Sequence, residues 1–286
     1  MTKQGRLLKK ITQHLRAADI QRYMHTRGPK WYTTAELVLG LAVRERYKLS
    51  YRRAAEFLDE YYGLSLHWTT LQKAAQRFPR WFWQRILRAS ARVESMLAAI
   101  DGTGFARSLP SEHYIKRIDG KRPAVPVKLS AMIDTESRLV LSARVRTRPA
   151  HDTKDVHGLI RRAHKKPWVV TMDKGYDSEP LHEWLDNKGV WSIAPTRKGC
   201  RRGRHRKQLR DTFPQTYYDQ RPIIESVFRS VKARYGGHVR GRRAHTVHAE
   251  VMMRLILHNI RVVLTRYFLL TSSDHNIYIS TDTYIT

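Results

Sequence analysis

Apolar residues recur at helical spacing through the first third of the chain and at strand spacing through the middle, so the pattern changes near residue 94. A helix is predicted from Thr34 to Arg46, with Thr34 as its N-cap and Glu36 in the first turn, where the helix dipole favours negative charge. Ser50 caps a second helix over Tyr51 to Tyr61. A turn containing Gly63 and Ser65 leads to a third helix, Trp68 to Phe78, and a fourth runs from Trp81 to about Arg92. Residues 1 to about 30 are basic and weakly periodic, with a breaker at Gly28 to Lys30.

Short helices joined by a glycine-containing turn suit a helix-turn-helix. In that reading Thr69, Thr70, Gln72, Lys73 and Gln76 face a major groove, and Arg52 and Arg53 lie near phosphates. An ordinary bundle with Leu58, Leu64, Leu71 and Phe78 as core explains the same pattern. The chain's charge inclines the choice towards DNA. Lys and Arg number 54 against 25 Asp and Glu, a net +29 spread along the whole sequence, so a polyanion is the expected partner.

From Ser95 the signal is that of a sheet. SMLAAIDGTGF is a short apolar run ending at Asp101-Gly102, and a basic, irregular loop follows through Pro126. Val127 to Ile133 and Leu139 to Val145 alternate as two strands around the turn Asp134 to Arg138, in which Asp134 and Glu136 are read as solvating residues. Asp152 to His164 reads as a helix capped by Asp152, Trp168 to Met172 as a buried strand, Ser178 to Asn187 as a helix capped by Ser178, and Val190 to Ala194 as a further strand. Three successive strands followed by strand and helix alternation imply a mixed sheet covered by helices, an α/β fold. Residues 197–210, RKGCRRGRHRKQLR, contain no acid and are expected to be a flexible loop that orders on DNA phosphates through Arg201, Arg202, Arg204 and Arg206. A long helix from about Thr246 to Tyr267 follows the break at Gly236-Gly237, and the tail from Thr271 is polar and frayed.

Other function classes are disfavoured. The greasiest stretch, Val251 to Leu270, is interrupted by Arg254, His258, Arg261 and Arg266, which suits an amphipathic helix better than a membrane span. Cys200 is the only cysteine, so there is neither a disulfide framework nor a cysteine-based zinc site. His245 and His248 lack an acid or cysteine at ligand spacing and are read as helix-face residues. No signal peptide is visible, and a cytoplasmic, nucleoid-associated protein is the simplest expectation.

One stretch carries more. In YDQRPIIESVFRSVK, Tyr218 to Lys232, Pro222 marks a first helical turn. Ile223, Val227 and Val231 then form an apolar stripe flanked by Ile224 and Phe228, while Arg221, Glu225, Arg229 and Lys232 share the opposite side. A solvated face with a Glu225/Arg229 pair is the plain reading. The spacing is nevertheless Tyr-x2-Arg-x3-Glu-x6-Lys, and in this the chain resembles the DDE insertion-sequence transposases. Asp101 in IDGTGF and Asp173 in TMDKGYDS match that family's two aspartates and Glu225 its glutamate. Taken singly, each aspartate reads as a strand-ending turn residue, and Asp119, in a basic loop, as a surface turn.

The resemblance implies a ribonuclease H-like catalytic domain over residues 95–270, with the basic loop at 196–215, a helical DNA-binding region over 1–94 and a polar tail over 271–286. It implies that Asp101 bridges two Mg²⁺ ions, with Asp173 on one and Glu225 on the other; Mn²⁺ can substitute. Two such ions about 3.5 to 4 Å apart stabilise the attacking and leaving oxygens of a phosphodiester, and Mg²⁺ favours carboxylate oxygens. Arg221 and Lys232 then hold phosphates of the transposon end, and Tyr218 packs near the cleaved end. The partners implied are transposon-end and target DNA, with a homodimer or higher assembly joining two ends. A metal-dependent nuclease without strand transfer, and a DNA-binding protein without catalysis such as a repressor or decayed element, are the alternatives.

Overall fold

The computed structural model describes residues 3–24, 27, 29–107, 127–148, 150–199 and 202–279. Cys200, Arg201, Asp119 and most of the loop ending at Pro126 lie outside the described residues. Five helices come first: α1 Lys3–Ala17, α2 Thr34–Arg46, α3 Tyr51–Tyr62, α4 Trp68–Arg77 and α5 Arg80–Ser90. The first of these corrects the sequence reading of a weakly periodic arm. Leu7, Ile11 and Leu15 are buried at i, i+4, i+8, and that thin stripe against α2 and α5 is enough to fix the helix.

The N-cap of α2 is Thr33 rather than Thr34. Its hydroxyl accepts from the Glu36 amide while Glu36 reaches back to the Thr33 amide, a reciprocal box that Thr34, one residue later, cannot make. Ser50 caps α3 as expected, accepting from Arg53 N at 3.2 Å, and α3 ends on Gly63 in the left-handed conformation. Gly40 lets α2 approach α3 and α4 closely, since a Cβ there would collide with Leu71 and Leu58.

The sheet is built from β1 Leu97–Arg107, β2 Val127–Asp134, β3 Val140–Arg146, β4 Val169–Met172 and β5 Trp191–Ile193, in the order β3-β2-β1-β4-β5. β1 pairs antiparallel with β2 and β2 with β3, whereas β4 and β5 run parallel to β1. A short β6, His238–Val239, joins the far end of β1. Helix α6, Thr153–Arg162, and helix α7, Glu179–Asp186, are packed with the apolar side chains of one face, Ile100, Met132 and Met172 among them. The opposite face, with Ala99, Phe105, Leu129 and Ala143, shares one continuous core with α1 to α5, with α10 (Ile223–Tyr235) and with α11 (Ala244–Ile279). That core spans the change of pattern near residue 94.

Helix α11 is the spine of this core. Every residue from 251 to 260 is buried, so it is no amphipathic surface helix, and Arg254 and His258 point into protein. Arg254 donates from Nε to Glu45 of α2 at 2.9 Å and from Nη1 to the Gly236 carbonyl at 2.8 Å, and it pairs with Glu250 one turn away. The charge needs these partners, because an unpaired guanidinium could not be buried at this depth. Asn259 accepts from Val140 N and donates to Val140 O, both at 2.9 Å, occupying backbone groups on the edge strand β3. Helix α11 extends to Ile279, through residues expected to be frayed. Among the described residues no helix is long and apolar enough to cross a membrane.

Three further expectations are corrected. Asp152 does not cap α6 but pairs with Lys128 of β2, and Ser178 makes no side-chain cap on α7. Asp134 is buried rather than solvated: it accepts from Ser95 Oγ and from Ser137 N, both at 2.6 Å, and so closes the β2–β3 turn.

Candidate active site

Asp101 does not end a strand. β1 continues to Arg107 because β2 pairs with it as far as Phe105, so Asp101-Gly102 is extended backbone and not a turn. β4, by contrast, stops early. Its last pair with β1 is Ile100 with Met172, so Asp101 and Asp173 each follow the final paired residue on adjacent parallel strands. The sheet therefore opens a notch with one acid on either side. Asp173 leads into a short 3-10 turn, Lys174–Tyr176, and is exposed.

Glu225 arrives from α10. Ile224, Val227, Phe228 and Val231 of that helix are buried, which turns Glu225, Arg229 and Lys232 outward. Asp101, Thr103, Glu225, Arg229 and Lys232 line one cleft of ≈ 680 Å³. Arg221 bridges two of its acids: Nη2 donates to Asp101 Oδ2 at 2.7 Å while Nη1 contacts Glu225. Lys232 Nζ donates to Thr103 Oγ1 at 2.7 Å and lies 5.5 Å from the centre of the Phe105 ring.

The electrostatics follow from this crowding. Burial pushes the Asp101 carboxyl above the usual range; the Gly102 amide and Arg221 pull it back, and Asp173 and Glu225 push it up again. Burial acts to lower the Arg221 guanidinium, but the charges of Asp101, Asp173 and Glu225 outweigh it and the group is raised. Tyr218, on the one-turn helix α9, Gln215–Tyr218, is raised by burial first and then by the acids, against Arg221. Burial lowers Lys232.

Three carboxylates offer the oxygen donors that Mg²⁺ or Mn²⁺ prefers. As folded, no group of three or more His, Cys, Asp or Glu among the described residues is disposed to hold a metal ion. The Arg221 guanidinium is the cation that Asp101 and Glu225 share. The donor types suit a divalent ion, while as folded a guanidinium stands between Asp101 and Glu225.

A family profile described as the transposase DDE domain matches residues 94–260, more than half of the chain. The chain belongs to the DDE transposases. Similar solved structures include a piggyBac transposase synaptic complex with hairpin DNA, at TM-score 0.47 and 10% identity, covering 97% of this chain and 80% of that one. Another is a Mos1 transposase paired-end complex with the left transposon end, at TM-score 0.24 and 11% identity, covering 76% and 83%.

The remaining sequence candidates of this DDE transposase divide. Arg52 is exposed, with its guanidinium 5.2 Å from the Trp68 ring centre; Arg53 and Lys73 are exposed on α3 and α4. The stretch 202–218 is not a flexible loop: it holds helix α8, Arg204–Asp211, and α9. Arg206, expected on DNA, is turned inward, with Nε and Nη2 donating to the buried Asp177 at 2.8 and 2.7 Å. His205 N donates to Glu179 at 2.9 Å, and Arg197 N to Asp177 at 2.8 Å. Asp177 is thus the anchor of this segment. Arg202 and Arg204 are exposed.

Sequence reasoning missed Tyr176. Its side chain is buried beneath the notch, its hydroxyl has no hydrogen-bond partner among the described residues, and burial together with Asp152, Asp101, Asp155 and Asp173 raises it far beyond a phenol's usual range. A tyrosine directly after Lys174-Gly175 gave no periodicity signal to mark it as core.

Proposed function

We propose that the chain cleaves the ends of an insertion sequence and joins the freed 3′-hydroxyl to target DNA, using Asp101, Asp173 and Glu225 on a ribonuclease H-like sheet. The observation that carries this reading is the placement of Asp101 and Asp173 one residue past the last pair of adjacent parallel strands, with Glu225 lining the same cleft as Asp101. Asp101, Asp173 and Glu225 would hold two Mg²⁺ ions, which when bound polarise the scissile phosphate and its nucleophile. Arg221, now forked between Asp101 and Glu225, would be freed if those carboxylates held metal, and its fork would then suit a phosphate of the transposon end. Lys232, positioned over Phe105 and anchored on Thr103, holds a neighbouring phosphate. Tyr218 packs against the DNA near the cleaved end. The α3 and α4 helices form a helix-turn-helix-like unit for end binding, with Arg52, Arg53 and Lys73 on the DNA side. Arg202 and Arg204 add phosphate contacts, and two copies of the chain bring two ends together.

Labelled element ends incubated with Mg²⁺ test the reading. Single substitutions Asp101→Ala, Asp173→Ala and Glu225→Ala are expected to abolish nicking while gel-shift binding persists; nicking retained in Asp173→Ala overturns it. A precut end bearing a 3′-hydroxyl separates a transposase from a nuclease, since only the former inserts it covalently into a plasmid. The arginine seated among the acids favours a second reading, a DNA-binding protein without catalysis. That reading predicts salt-sensitive binding and no Mg²⁺-dependent product.

A further inference from the structure

Two cavities lie away from the acid cleft and share a wall. The first, ≈ 730 Å³, lies between residues 24–37 and the end of α4, and is lined by Trp31, Tyr32, Lys73, Arg77, Phe78 and Trp81. Trp31 is 81% exposed and Trp81 49% exposed, unusual for side chains of that size. The second, ≈ 450 Å³, is lined by Arg80, Arg85, Arg88, Arg144, Arg161 and Arg162, with Trp81 again on its wall. Among the described residues no acid lines either cavity.

The arginines are left with little counter-charge. Asp155, buried beneath them, is engaged by Arg146 at 2.8 Å and Arg144 at 3.1 Å. None of Arg80, Arg85, Arg88, Arg161 and Arg162 forms an ion pair among the described residues. Arg162 folds back over Gly158, where a Cβ would sit 2.8 Å from Nη1, and Nη1 is buried without a hydrogen-bond partner. Arg85 lies 5.1 Å from the centre of the Trp81 ring, joining the cationic cleft to the aromatic groove.

An array of guanidinium groups without acids selects a chain of phosphates. Open indole faces beside it select a planar π system, and in duplex DNA those faces are already stacked on each other. Aromatic platforms along a cationic groove are the device by which unpaired strands are held. We infer that this surface binds a short unpaired DNA strand, its phosphates in the arginine cleft and its bases against Trp81 and Trp31.

The position suits the reaction. Gly102 pairs with Ser130 and Ser130 with Arg144, so the cleft begins two strands, roughly 10 Å, across the sheet from the residue after Asp101. A strand displaced near the acids could reach it without entering their cleft. The inference rests on the proposed reading of DNA as substrate, but not on the assignment of the three acids.

Fluorescence anisotropy of the full chain with a labelled 12-nucleotide oligo-dT and with a duplex of equal length, without divalent metal, tests it. The oligo-dT is expected to bind, and Trp81→Ala and Trp31→Ala each to weaken it about tenfold while the duplex changes less than about twofold. Arg161→Ala combined with Arg162→Ala should reduce the slope of log affinity against log salt by about 1 to 2. Both tryptophans are exposed, so either variant suffices should the other fold poorly. Equal losses for the two DNAs, or no loss in either variant, overturn the inference. Asp101→Asn, expected to abolish nicking, must retain oligo-dT binding; nicking retained by that variant with oligo-dT binding intact counts against the acid assignment alone.

Discussion

Arg221 donates from Nη2 to Oδ2 of Asp101 at 2.7 Å, and it does so from the turn between α9 and α10, which meets β1 only in the folded chain. The contact offsets part of the cost of burying Asp101. Arg221→Ala should therefore raise the Asp101 pKa further, read by carbon-detected titration of its carboxyl. The same variant should weaken binding of element-end DNA about tenfold, as expected for one lost charge-assisted contact, with Arg221→Lys intermediate.

Asp101 itself is expected to oppose folding at neutral pH. Because its folded pKa is raised, its contribution to stability is full below the unfolded value near 4 and is lost as pH rises through the folded value. Asp101→Asn should raise the Tm at pH 7 by a few degrees, and calorimetry near pH 3 should find no gain. If Asp101 is a metal ligand as proposed, the same elevation should make nicking fall off at a higher pH than for an ordinary aspartate.

How much of this could be read beforehand depended on whether the signal was local. Strands β2 and β3, helix α3 and the buried side of α10 follow from alternation and 3.6-residue spacing, and the structure has them within a residue or two. Asp101 was misread as a turn because Asp-Gly is a turn dipeptide in isolation. Here β2 pairs straight through it, a long-range fact with no local trace. Arg206 and Asp134 were misread for a related reason: a charge in a polar stretch looks solvated until the partner, Asp177 or Ser95, arrives from elsewhere in the chain. The union of helical region and sheet in one core was equally invisible, since the burial of Arg254 and His258 depends on α2 and β3 surrounding them.

His14 and His248 should contribute to the loss of stability in acid. Burial holds both at about 4, helped by Lys10 and Arg92 at His14 and by Arg80, His245 and Arg162 at His248. A histidine depressed in the folded state stabilises fully above its unfolded pKa, near 6.5, and that stability is lost as pH falls towards 4. The Tm should decline across this window, and His248→Gln should flatten the decline.

Arg254 holds Glu45 and Glu250 in the interior. Burial already raises Glu45, against Arg44 and Arg254. Arg254→Met should cost about 3 to 5 kcal/mol, because two buried carboxylates lose a partner. Urea unfolding followed by far-ultraviolet circular dichroism and by tryptophan fluorescence should give one coincident transition in the parent chain, as a shared core demands.

Helix α11 joins α2 and α5 to the β3 edge as one rod, tied at Glu45 and at Val140. It is continuous from Ala244 to Ile279, and it packs on α4 as well as on the sheet that carries Asp101. On the proposed reading, a duplex gripped at α4 would be measured as by a ruler, and the bond presented to the acids would sit a fixed number of base pairs from the contacts that chose it. Any variation in the cutting position would then have to come from bending or melting of the DNA.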